Sequence, residues 1–294
     1  LPSGYLPLNI FEPRYINMVQ DALRSHQLIG MIQPADRSPS PDLQRVGCAG
    51  RIIRYEETLD GRFLILLAGL CRFEIAKELG FKGKVLGTFP GGGGFNYNEF
   101  DPYIKPVLER KTILVKGYQG RSGKAIEVLK ALQLISNKIR DYKIIVFGAD
   151  DEVETFIEKE NLPNNLNIKW FSRRHFLPHK DILKLMGESL VYIGNSDSDG
   201  MPNTLLESIA QGSFPIQSNP GNASAEVVTH NKNGLLIEDC NDVNNISKLI
   251  LNALEDGELI ENAFQINQNK IKPQFERTLI KAKVLEAYNN IIID

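Results

Sequence analysis

From residue 111 onward, short apolar runs alternate with longer amphipathic stretches at a spacing that few folds accommodate. Residues 112–116, 143–147 and 166–170 read as strands, and 125–136, 151–160 and 181–186 read as helices. A short buried strand at 189–193, a helix at 204–211 and strands at 214–217 and 235–237 follow, and helices from about Asp242 and Lys281 close the chain. Strands and helices taken in turn in this way predict an α/β fold with a doubly wound parallel sheet.

The first 79 residues have a different texture. Residues 6–11 read as a strand. Glu12-Pro-Arg14 opens a helix with Tyr15, Met18, Val19, Ala22 and Leu23 at helical spacing. Residues 28–32 form a short apolar strand, 37–42 a Ser/Pro loop, and 46–75 a twisted hairpin turning at Asp60-Gly61. The predicted organisation is a small β-rich domain over 1–79, a connection over 80–108 and the α/β domain over 109–294. The run Gly91–Gly94 in the connection reads either as a flexible linker or as a close backbone approach to a ligand.

A net charge of −2 with scattered Lys and Arg argues against the concentrated basic face of a nucleic-acid binder. The longest apolar run, 63–70, is far short of the roughly 20 residues that span a bilayer. Cys48, Cys71 and Cys240 have no metal or disulfide spacing, so buried free thiols in a reducing, cytoplasmic setting are expected. The chain begins at Leu1 rather than Met, as a processed or trimmed piece would.

Two loops could carry chemistry. Lys116-Gly-Tyr-Gln-Gly-Arg-Ser-Gly-Lys124 leaves the first strand of the α/β part and enters a helix. Tyr118 and Ala125 stand where a nucleotide phosphate loop needs Gly and Ser/Thr, which excludes that motif. A diphosphate clamp from Arg121 and Lys124 remains open beside the plain reading of two solvated helix-start cations. The second loop is Gly194-Asn-Ser-Asp-Ser-Asp-Gly-Met-Pro-Asn-Thr-Leu-Leu-Glu207. Asp199 sits in the loop as a ligand or as a turn former beside Gly200. Glu207 falls among Leu205, Leu206, Ile209 and Ala210, and a buried carboxylate there wants a hydrogen-bonding partner such as a ribose diol.

Leu6-Pro-Leu-Asn-Ile-Phe-Glu-Pro-Arg-Tyr15, Val46-Gly-Cys-Ala-Gly-Arg-Ile-Ile53 and Gly69-Leu-Cys-Arg-Phe73 give residues 1–79 a resemblance to the N-terminal substrate-binding domain of Lon-type proteases. That resemblance implies contact with a polypeptide and no chemistry. Asp199 and Glu207, at the spacing of an acidic residue, seven residues and Glu, belong with Ala210-Gln-Gly-Ser-Phe-Pro-Ile216, Ser224-Ala-Glu226 and Asn233-Gly-Leu-Leu-Ile237. Together they make residues 81–290 resemble the donor-binding half of family-four retaining glycosyltransferases of GT-B fold.

The resemblance implies transfer of sugar with retention from a UDP- or GDP-linked donor, without a metal or other cofactor. It implies that Glu207 holds the ribose and Asp199 a sugar hydroxyl. Gly200, Met201, Pro202, Asn203 and Thr204 would meet the diphosphate, and Arg121 and Lys124 the leaving charge. The family usually has Glu where Asp199 stands, and its cation pair is spaced differently. An acceptor-binding Rossmann half is missing ahead of residue 80. The alternative is a noncatalytic Lon-type binding module joined to an inactive donor scaffold.

Overall fold

The computed structural model describes residues 4–33, 44–58, 61–75, 93–120, 122–175 and 177–292. They fall into two compact units, Leu1–Lys84 and Val85–Asp294. The boundary expected near residue 80, the loop 37–42, Asp60 and Arg121 lie outside the described residues.

In the first unit, β1 (Tyr5–Ile10) precedes α1 (Pro13–Arg24), which starts on a proline whose missing N–H is not needed there. β2 (Leu28–Met31), β3 (Val46–Glu57) and β4 (Phe63–Glu74) complete an antiparallel sheet in the order β1-β4-β3-β2. The expected hairpin is β3–β4, and register shifts at Ala49/Gly50 and Ile52/Arg54 bend it. Val19 and Ala22 of α1 pack on Ile29, Ile52, Ile65 and Leu67 of the sheet.

The second unit is built on a six-stranded parallel sheet in the order β10-β9-β8-β5-β6-β7. Its strands are β5 (Thr112–Lys116), β6 (Lys143–Ala149), β7 (Ile168–Ser172), β8 (Val191–Gly194), β9 (Phe214–Ser218) and β10 (Leu235–Ile237). The helices are α2 (Ala125–Leu134), α3 (Asp151–Lys159), α4 (His179–Glu188), α5 (Asn203–Ala210), α6 (Val243–Glu255), α7 (Gly257–Ile266) and α8 (Arg277–Ile292). Successive strand residues point to opposite faces. Ile113, Val115, Ile144 and Val146 pack under α2, α3 and α6. Leu114, Ile145 and Tyr192 pack against Met186 of α4. Both faces are therefore covered, which is why these strands are apolar throughout.

Several expectations shift. Asp242 and Asp256 cap α6 and α7 through Asn245 N (2.9 Å) and Leu259 N (2.8 Å), so two helices stand where one was expected. β7 begins two residues late, and α8 begins at Arg277 rather than Lys281. Residues 95–109 are not a free connection. Phe100 is buried against Leu183 and Ala210, and Phe95 N donates to Phe275 O at 2.8 Å. Gly94 does make a close backbone approach, but to its own chain: with φ +80°, any side chain there would strike Phe275 O and Ile280. None of the three thiols is buried, and Cys71 is exposed.

Candidate functional site

The chain builds β5, β6 and β7 outward in one direction, then crosses back to lay β8, β9 and β10 on the other side of β5. β5 and β8 are thus neighbours across the point where strand order reverses, pairing Val115 with Ile193. In open α/β sheets, ligands bind at the carboxyl ends of the strands on either side of such a point. Both sequence-predicted loops emerge there.

The two loops are tied together by their backbones. Gly123 bridges Ser196, Lys124 N donates to Asn195 O (3.0 Å) and Asp197 N donates to Ser122 O (2.9 Å). Asn195 Nδ2 adds bonds to Lys124 O (3.2 Å) and Cys240 O (2.8 Å). Lys116, Tyr118, Ser122, Ser196, Asp199 and Gln217 border a small polar cavity of about 140 Å³ at this junction.

The β5–α2 loop spends its donors within the chain. Gln119 N (2.7 Å) and Gly120 N (3.0 Å) donate to Asp150 Oδ2. At the start of α2, Ala125 N donates to Tyr118 O and Ile126 N to Gln119 Oε1 (2.9 Å). The ammonium of Lys124 pairs with Asp197 at 3.3 Å, which holds it in the charged form. The amino terminus of α5 is different. Pro202 precedes it with no side-chain cap, Asn203 is exposed and Thr204 is half-buried.

Glu207 lies one turn into α5, only 8% exposed. Its Oε1 is 2.8 Å from His179 Nε2 at the start of α4. Burial raises its pKa, while His179 and Lys116 pull it back down. Beneath it, the buried Tyr192 hydroxyl donates to Thr204 Oγ1 at 2.9 Å. Burial raises the pKa of that phenol, and the charges of both Glu207 and Asp199 add to the rise. One buried side chain thus feels both acidic residues of the motif.

Asp199 and Gly200 are exposed in the loop, Pro202 is buried, and Met201 packs with Leu205, Leu206 and Ile209 of α5. Sequence reasoning missed Lys116, His179, Tyr192 and Gln217. A glutamine inside the apolar strand 214–217 was the signal for the last of them. Removing the His179 imidazole (His179→Ala) is expected to raise the Glu207 pKa further, since both its hydrogen bond and its charge oppose the effect of burial. Carboxyl ¹³C NMR titration measures this, and an unmoved Glu207 would show the pair to be idle.

A parallel sheet with a polar, hydroxyl-bearing crevice at its switch point defines a Rossmann-type α/β module. The model of glycosyl transferases group 1 matches residues 102–271, and that of the ATP-dependent protease La (LON) substrate-binding domain matches residues 1–169. The chain belongs to the group 1 glycosyl transferases and carries a LON-type substrate-binding domain at its amino-terminal end. The overlap of the two matches, 102–169, folds as part of the parallel sheet.

An uncharacterized glycosyltransferase of Haemophilus influenzae is 28% identical over 144 residues, 49% of this chain and 38% of the relative. A Lon protease of Anaeromyxobacter dehalogenans is 28% identical over 78 residues, 25% of this chain and 9% of the relative. The chain thus spans well under half of either. Among solved structures, a glycosyltransferase from Rickettsia africae superposes with TM-score 0.56 at 21% identity, over 68% of this chain and 56% of that one. The Anabaena protein HepE in complex with UDP-glucose superposes with TM-score 0.55 at 16% identity, over 67% and 56%. These likenesses establish the fold. Among the described residues, no helix is long and apolar enough to cross a membrane.

Proposed function

We propose that the α/β unit binds a nucleotide sugar, UDP- or GDP-linked, and serves as the donor half of a retaining glycosyltransferase. The observation that carries this reading is the buried Glu207, one turn into the helix that follows a polar, hydroxyl-bearing cavity at the strand-order reversal. A ribose diol offers two O–H donors to one carboxylate, and Glu207, bonded through Oε1 to His179, keeps acceptor capacity for them. Asp199, on the cavity wall, is placed to accept from a hydroxyl of the transferred sugar. The open amino end of α5, residues 200–204, suits the diphosphate.

In the reaction proposed, the bond from the anomeric carbon to the diphosphate oxygen breaks and its electron pair leaves with the diphosphate. An acceptor hydroxyl oxygen bonds to the same face of that carbon and gives up its proton to the leaving group. Cations and helix dipoles stabilise the departing charge without a metal. An acceptor-binding half is supplied by another domain or chain, and the setting is cytoplasmic.

Support comes from the family and from HepE, whose structure was solved with UDP-glucose. Calorimetry with UDP and GDP tests the reading. Micromolar to millimolar binding of one of them is expected, and binding of neither would end it. For the first unit, contact with a polypeptide is a second proposal. It is favoured by a cavity of about 680 Å³ lined by Leu6, Met31, Val46 and Leu67.

A further inference from the structure

The cation that meets the donor's phosphate need not be the one that motif spacing suggests. Lys124 is already engaged: its ammonium is 3.3 Å from Asp197, and its backbone N–H and carbonyl are both bonded to Asn195. It works as a strut between the two loops. Lys116, the last residue of β5, is placed differently. It borders the polar cavity that Asp199 also borders, and no carboxylate among the described residues lies within ion-pair distance of it. Its charge also lowers the Glu207 pKa, against the effect of burial.

A second observation marks the same cavity as built for a polar ligand. Gln217 is 2% exposed and borders it, yet its Oε1 has no hydrogen-bond partner. A buried amide oxygen left alone costs about 1–3 kcal/mol, so native folds rarely tolerate one without a use. Gln217 sits in register with Gly194 of β8, and any side chain at 194 would collide with that oxygen and with the Tyr192 hydroxyl. The missing side chain at Gly194 keeps the amide where it faces the cavity. At about 140 Å³, the space holds a phosphate with part of a sugar, not a whole nucleotide.

We propose that Lys116 is a cation that binds the phosphate of the nucleoside diphosphate donor, in the cavity it shares with Asp199 and Gln217. This rests on the donor-binding reading above. The ammonium of the half-buried Lys116 approaches a phosphate oxygen as a point charge. Lys124 keeps the two loops closed over it.

The test is calorimetry of the full chain with UDP, GDP, pyrophosphate, uridine and guanosine. For Lys116→Met, which keeps an unbranched side chain one atom shorter and without the charge, affinity for the diphosphate that binds is expected to fall about 10- to 100-fold. Affinity for the matching nucleoside should not move, and Lys116→Arg should recover much of the loss. Equal loss for nucleoside and diphosphate, or a Met variant that binds the diphosphate like the wild type, overturns the assignment and leaves the donor-binding reading standing. Failure of the wild type to bind any of the diphosphates would instead overturn both.

Discussion

Glu207→Gln is expected to remove nucleotide affinity while leaving the α/β unit slightly more stable at neutral pH. A carboxylate that accepts two hydrogen bonds from a diol contributes about 2–4 kcal/mol, so affinity should fall roughly 30- to 1000-fold. The stability change follows from the direction of the pKa shift. Burial raises the Glu207 pKa, so the folded chain holds that proton more tightly than the unfolded chain. Below the ordinary carboxylate range both states are protonated and no penalty exists. The penalty grows as pH rises from the unfolded value through the raised folded value, and it persists above that. The amide variant should therefore melt higher than the wild type at pH 7, by roughly 1–3 °C, and the gap should close near pH 4. A variant that binds UDP or GDP as the wild type does would detach the function from this residue.

Arg110→Met is expected to destabilise the second unit by about 2–6 kcal/mol, out of a total on the order of 5–15 kcal/mol. Arg110 is 3% exposed and pairs with no carboxylate among the described residues. Its guanidinium instead donates to three backbone carbonyls: Lys105 O (2.9 and 2.5 Å), Ser189 O (3.2 Å) and Gly212 O (2.6 Å). Burial lowers its pKa to about 10, so the group is still charged at pH 7. Ser189 O keeps a second donor in Ser213 Oγ, but the carbonyls of Lys105 and Gly212 would be orphaned. Gly212 has φ +74° and packs on Phe264, so it has little room to turn its carbonyl outward. Urea denaturation followed by circular dichroism gives the number, and a loss below about 1 kcal/mol would show that the backbone relaxes around the gap.

The parallel sheet was legible because its strands are buried on both faces and so stand out as unbroken apolar runs. Strand order was not, because pairing β5 with β8 depends on a crossover that no local pattern records. The position of Glu207 could be read from its apolar neighbours. Its partner could not: His179 lies 28 residues away, on another helix. Lys116 reads in sequence as an ordinary charged strand end, and it acquires meaning only when β8 brings Asp199 to the same cavity. The tie at residues 94–95 was hidden for the opposite reason. The glycines of stretch 80–108 look like a linker, yet Gly94 and Phe95 are tied down by residues 275–280, which sequence distance conceals.

The placement of β5 between β6 and β8 also has a consequence for synthesis on the ribosome. β5 is complete at residue 116, but the strand that covers its other edge starts at 191, some 75 residues later. At about 5–20 residues per second, the nascent chain carries a bare Ile-Leu-Val edge for roughly 4–15 s. Unpaired apolar edges recruit other strands, so translation pauses or truncations before residue 191 should feed inclusion bodies, and holdase chaperones should raise the yield of this unit.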